Sequence, residues 1–364
     1  MTRSRLAVLT GIVAVLTALP INIKADDNDF TAARTVASTV PMNGDVNPYG
    51  VAVVPHNRGN LVKGNVLVSN FNNSSNFQGT GSTIVQVSPQ GSVSVFAQIS
   101  AASLPGPCPG GVGLTTALVA LRSGWVIVGS LPTKDGTAAT AQGGCLIVLD
   151  STGNVVETIS NSMINGPWDM TARDDGGDAV LFVTNVLNNT TATVSDTATV
   201  LRIVLDVSRK ALPAVDSMTL IGSGFPVRTD PAALVIGPTG VGLGIGDVLY
   251  VADTLGNRIA AIPDAVRRQS SAGTGITVTQ GGALNGPLGL AIGPLDTIAT
   301  VNSQDGNLVF TTPFGKQFFT KQLDGSGIPP GAGALFGLAF GDDGLYFVDD
   351  ATNTLNILQG NNSH

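Results

Sequence analysis

The sequence predicts an all-β fold, a six-bladed β-propeller whose ring is closed by an N-terminal strand joining the last blade. Three observations predict it. Glycine is abundant, with 46 residues among 364, while charged residues make up only 12%. Aspartate carries the negative charge almost alone, since Glu157 is the single glutamate. Residues that favour helix surfaces are therefore scarce, and those that favour turns are plentiful. Finally, a turn-and-strand pattern recurs at intervals of roughly 50 to 65 residues, the period of a repeat architecture.

Each unit opens with a Pro- or Gly-containing turn and a strand of small apolar residues. The six openings are Asn47 to Val53, Pro109 to Leu114, Asn165 to Met170, Asp230 to Val235, Asn285 to Ala291 and Gly333 to Ala339. A second strand follows in each, at Val66 to Asn70, Trp125 to Gly129, Leu181 to Asn185, Leu249 to Asp253, Ile298 to Asn302 and Leu345 to Asp349. Third strands such as Ile84 to Val87 and Ile259 to Ile262, and fourth strands such as Val155 to Ile159, complete most units. Four antiparallel strands repeated about a ring make a propeller, because each small sheet buries its faces only against its neighbours. The last unit lacks a fourth strand. Arg34 to Ser38 is the spare strand expected to supply it and to remove the open edge.

The chain start reads as a secretory signal peptide over 1–25, followed by one propeller domain over 26–364. Arg3 and Arg5 precede an apolar run from Leu6 to about Ile21, and Ala25 stands before Asp26-Asp27. An uncleaved anchor is the rival, weakened by the short run and by Pro20. No later stretch is long enough to span a membrane. The expected location is therefore extracytoplasmic, either secreted or periplasmic. That setting permits a Cys108–Cys145 disulfide, with two buried thiols as the alternative. The net charge of −7 argues against nucleic acid as a partner.

Leu249-Tyr250-Val251-Ala252-Asp253-Thr254-Leu255-Gly256-Asn257-Arg258-Ile259 resembles the NHL repeat, in which a strand ends at Asp-Thr and an Asn-Arg-Ile segment begins the next. Leu345 to Leu358 is a looser copy, with Thr354 in the arginine position. The resemblance implies the propeller fold and no particular activity.

Loops that enter the innermost strands share one face with those joining second and third strands. That face is expected to carry Asn47, Asn165, Trp168, Asp169, Asp230 and Asn285 as candidate ligand-binding residues, although Asn and Asp before Pro or Gly also simply make turns. Long polar loops at Asn70 to Ser82, Leu131 to Gly144 and Asn185 to Asp196 would raise a rim there.

Several chemistries fail on composition. His56 and His364 are the only histidines, which disfavours a Ser-His-Asp triad or a histidine-built zinc site. The run Gly240, Gly242, Gly244, Gly246 precedes a strand rather than opening a helix, so it is no nucleotide loop. Calcium needs only oxygen ligands, and Asn165, Asp169, Asp230 and Asn285 could imitate part of the set held by lactonases of the senescence-marker and paraoxonase families. Glu157 falls in an outer strand, away from such a site. The sequence thus supports a propeller that binds a small molecule, glycan or protein through its loop-rich face. A calcium-dependent hydrolase or lactonase is the alternative.

Overall fold

The computed structural model describes residues 33–208 and 212–360. The predicted signal peptide and His364 lie outside the described residues. A lone strand, β1 (Arg34–Ser38), comes first. Blade 1 is β2 (Val46–Val53), β3 (Val66–Asn72), β4 (Thr83–Val87) and β5 (Val93–Gln98). Blade 2 is β6 (Leu114–Ala120), β7 (Val126–Ser130), β8 (Leu146–Leu149) and β9 (Val155–Ile159). Blade 3 has five strands, β10 (Pro167–Asp174), β11 (Asp178–Asn185), β12 (Ser195–Asp206), β13 (Ala214–Asp230) and β14 (Leu234–Ile236). Blade 4 is β15 (Pro238–Leu243), β16 (Leu249–Asp253), β17 (Arg258–Ile262) and β18 (Ile276–Gln280). Blade 5 is β19 (Pro287–Ile292), β20 (Ile298–Asn302), β21 (Asn307–Thr311) and β22 (Gln317–Gln322). Blade 6 is β23 (Leu335–Gly341), β24 (Gly344–Asp349) and β25 (Thr354–Leu358), completed by β1.

The closure is the one expected from the sequence. Arg34 lies opposite Ile357, and Thr35 Oγ1 donates to Asn356 Oδ1 at 2.9 Å. Second strands are buried along nearly their whole length, as in β3, β7, β16 and β20, because both faces of a blade pack on neighbours. Fourth strands such as β5 and β18 are largely exposed. This gradient explains why the middle strands read as unbroken Val, Ile and Leu runs.

Two predicted openings were misplaced. The inner strand of blade 2 is β6, which starts where Pro109 to Leu114 ends. Pro109 to Gly111 belongs instead to the loop that carries Cys108, whose Sγ is bonded to that of Cys145. The inner strand of blade 4 is β15, so Gly240 and Gly242 lie within it and Gly244 and Gly246 follow in the next turn. Asp230 to Val235 is the turn of a hairpin between the 17-residue β13 and β14. Pro231 and the left-handed Leu234 (φ 62°) make that turn, which has the same composition as a blade opening.

The NHL-like segment works as a latch. Asp253 accepts from Gly256 N–H at 3.0 Å and pairs with Arg258 Nε at 2.8 Å, both side chains being largely buried. Asn257 accepts from Gly286 N–H of blade 5 at 2.9 Å. In blade 6, Asn353 repeats this by accepting from Asn47 N–H of blade 1 at 2.7 Å. Both asparagines have positive φ, 48° and 54°, which Asn tolerates better than most residues. In these two places the motif therefore ties one blade to the next.

Candidate functional site

The six inner strands superpose on their pairing. Pro48, Leu114, Pro167, Pro238, Pro287 and Leu335 each lie opposite the residue that ends, or nearly ends, the second strand. A register shift follows immediately in all six, the mark of a β-bulge. Two residues beyond each start stand Gly50, Thr116, Asp169, Gly240, Gly289 and Gly337.

Glycine has a steric reason at this place. A Cβ on Gly289 would lie 1.8 Å from the Phe336 carbonyl oxygen of the next blade. One on Gly337 would lie 2.2 Å from that of Tyr49, and one on Gly240 would lie 2.5 Å from that of Leu288. Neighbouring inner strands thus meet backbone to backbone around the axis. Asp169 occupies the same niche: its N–H donates to Thr184 Oγ1 at 3.0 Å, as Gly50 N–H donates to Ser69 Oγ at 3.0 Å. Blades 2 and 3 therefore put side chains where the other four have none.

Those side chains line an axial cavity of about 290 Å³ that touches all six inner strands. Most lining residues are apolar types, including Val51, Leu118, Met170, Val241, Leu290 and Leu338, but the surface they leave open to the cavity is largely polar. Exposure rises toward the ends of the inner strands, as in β10, β15 and β23, so the cavity opens on that face. Asp169 is buried, and its Oδ2 accepts from Val241 N–H at 2.9 Å. Burial pushes its carboxyl up to about 7, against the opposing pull of the Val241 and Met170 backbone N–H groups. Thr116 is also buried, and its Oγ1 has no hydrogen-bond partner. Asp174 lies at the mouth, accepting from Arg122 N–H and from Gly176 N–H.

The opposite, loop-rich end is plugged. Tyr49 stacks on Phe336 with ring centroids 3.8 Å apart and on Phe71 at 4.4 Å. Trp168 meets Tyr49 and Phe71 edge-on at 5.9 and 5.8 Å. Leu234 and Val235 of the β13–β14 hairpin belong to the same buried cluster. At the hairpin tip, the Pro231 carbonyl accepts from Gln78 Nε2 of blade 1 at 3.0 Å. The extra hairpin of blade 3 thus reaches the long polar loop of blade 1.

The predicted site residues are not gathered as expected. Only Asp169 lines the axial cavity. Trp168 is fully buried in the plug, where its large apolar surface is worth more than at a wet mouth. Asp230 sits in the hairpin turn, where it pairs with Arg228 at 2.9 Å and accepts from Ala232 and Ala233 N–H. Asn165 donates its N–H to Asn185 Oδ1, the Asn285 carbonyl accepts from Gln304 N–H, and Asn47 is held by Asn353. Asn47, Asn165 and Asn285 are thus entry-turn residues. Among the described residues, no group of three or more His, Cys, Asp and Glu side chains could hold a metal. Calcium requires six to eight oxygens. With the loop-side end of the axis filled by aromatic rings, the four proposed donors do not fit a calcium cage there. Thr116 was missed. The signal that finds it, and that singles out Asp169, is the departure from glycine once all six units are aligned on their true inner strands.

No protein-family model and no curated protein matches the chain. Solved structures match it in fold. A gluconolactonase from Xanthomonas campestris is 11% identical, with 90% of each chain covered and a TM-score of 0.53. The calcium-binding protein regucalcin from Agrobacterium tumefaciens is 12% identical over 91% of this chain and 94% of its own, with a TM-score of 0.55. A luciferin-regenerating enzyme is 10% identical over 89% and 95%, with a TM-score of 0.55. The chain is a six-bladed β-propeller of the architecture shared by these proteins.

Proposed function

We propose that the protein is an extracytoplasmic propeller that binds a small molecule in its axial pocket, entered from the face where the inner strands end. The observation that carries this reading is the pair Thr116 and Asp169. They place a buried hydroxyl and a buried carboxyl on the wall of the axial cavity, at positions where the repeat otherwise has glycine. A concave site that brings a few polar groups together among apolar side chains is the usual make-up of a small-molecule site. The loop-rich face, where we expected the ligand, is sealed over the axis by the aromatic cluster, which leaves its rim for glycan or protein contacts. The Cys108–Cys145 bond and the predicted signal peptide support export.

A hydrolase acting at the same pocket is the second reading. It is favoured by the carboxyl of Asp169, which exchanges protons near neutral pH and so suits general acid–base work. It is also favoured by the fold shared with a gluconolactonase and a calcium-binding regucalcin. Thermal melts of the mature protein separate the readings. A small-molecule screen that raises Tm in wild type and not in Asp169→Asn supports axial binding; equal shifts in both refute it. Turnover of lactones or esters, lost in Asp169→Asn, would establish the hydrolase. A rise in Tm with calcium that EDTA reverses would place a metal site outside the donor set considered above.

A further inference from the structure

We propose that the axial pocket selects an organic cation, an amine on a compact apolar body whose ammonium group meets Asp169. This rests on the axial site proposed above and assigns it a ligand class. Among the described residues, Asp169 and Asp174 are the only charged side chains lining the cavity, and both are acidic. Around them stand the apolar side chains of Val51, Leu118, Met170, Val241, Leu290 and Leu338, which offer an organic body its contacts between stretches of polar surface. An anion entering here would face two carboxyl groups and no cation. An apolar molecule without a donor would give the Asp169 carboxyl nothing beyond its backbone partner Val241 N–H, and Thr116 Oγ1 would stay unpartnered. An ammonium group meets both needs, since it offers three donors and neutralises a carboxylate that is costly to hold alone in apolar surroundings.

Charged groups around the mouth do not reverse this preference. Arg173 is paired with Asp247 of blade 4 at 3.1 Å and with Asp175 at 3.6 Å. Arg58, Arg122 and His56 line a separate surface cleft with Asp175. The cavity is larger than the engineered void of about 150 Å³ that holds benzene, so a single-ring amine is a suitable probe. Because the carboxyl of Asp169 is pushed up to about 7, docking of an ammonium ion should expel its proton.

Calorimetric titration of the mature protein at pH 7 with benzylamine, benzyl alcohol and benzoate tests the inference. We expect benzylamine to bind at least about tenfold more tightly than the alcohol, and benzoate not at all. Repeating the titration in buffers of different ionisation enthalpy should reveal proton release with benzylamine alone. Asp169→Asn should abolish both the preference and the proton release. Thr116→Val, a milder change, should weaken benzylamine several-fold. Equal or tighter binding of the alcohol or benzoate would overturn the cation assignment and leave the axial site standing. Binding of none of the three would overturn both, and undiminished benzylamine selectivity in Asp169→Asn would place the amine elsewhere.

Discussion

Four blades carry glycine at the inner-strand bulge, and two adjacent blades carry Thr116 and Asp169. At Gly240, Gly289 and Gly337 backbone meets backbone too closely for any side chain, and at Gly50 a Cβ would first strike Ser69 Oγ of the same blade at 2.4 Å. In the two, a side chain enters the same niche, and Asp169 reaches across to the Val241 N–H of blade 4 instead of striking a carbonyl. The difference teaches that a repeat can build a site by exception. Symmetry makes the ring, and departure from symmetry places chemistry at its centre.

The sharpest way to break this comparison is to add a methyl group where the repeat forbids it. Gly289→Ala should destabilise the protein by about 4 kcal/mol or more, because the Cβ would sit 1.8 Å from a backbone oxygen that cannot swing away. Denaturant unfolding would measure it, and a loss below about 1 kcal/mol would show that the inner strands are not in firm contact. Phe336→Ala, at the plugged end, should cost about 3 kcal/mol through the cavity it leaves in the aromatic stack.

Asp169→Asn sharpens the comparison through pH. A carboxyl whose pKa is raised by folding holds its proton better in the native state. Its contribution therefore favours folding below about pH 4, and it is lost as pH climbs through about 7. Asp350, pushed up to about 8 by burial and by Asp349 and Asp324, acts in the same direction. Between pH 5 and 7, Asp169→Asn should remove about 2 kcal/mol of the fall in stability, read from urea midpoints at each pH. An unchanged slope would mean that Asp169 is ionised throughout.

The smallest effect concerns the turns after the inner strands of blades 4 and 5. Gly246 and Leu295 occupy matching places with φ of 72° and 55°, and Leu295 is 84% exposed. Leu295→Gly should therefore stabilise the protein by about 0.5 kcal/mol, since left-handed strain disappears with little loss of packing. A loss of stability instead would show that the Leu295 side chain has a partner.

Much of the ring was legible in the sequence. Second strands announced themselves because both faces of each blade are covered, and the spare strand at Arg34 to Ser38 was conspicuous beside an unfinished last unit. The centre was harder. Pro, Gly and Asp make blade openings and hairpin turns alike, so Pro109 and Asp230 passed for openings. With blades 2 and 4 out of register, the column Gly50, Thr116, Asp169, Gly240, Gly289 and Gly337 could not be seen. Strand β13 hid for a related reason: Gly222, Gly224 and Pro226 look like breakers, yet β13 runs through them with bulges against β12. Trp168 reads as a candidate ligand-binding residue because sequence does not show on which side of a strand a large ring will be swallowed.

The strand that completes the sixth blade is made early and used last. Thr35 and Asn356, which bond across the seam, are 321 positions apart. Bringing such distant ends together costs on the order of 5 kcal/mol in chain entropy, and contacts of that sequence separation form slowly. A growing or translocating chain can assemble five blades from local pairings while its circle stays unclosed. The seam is therefore a timing device: the ring acquires its final shape only when Arg34–Ser38 has paired with Thr354–Leu358.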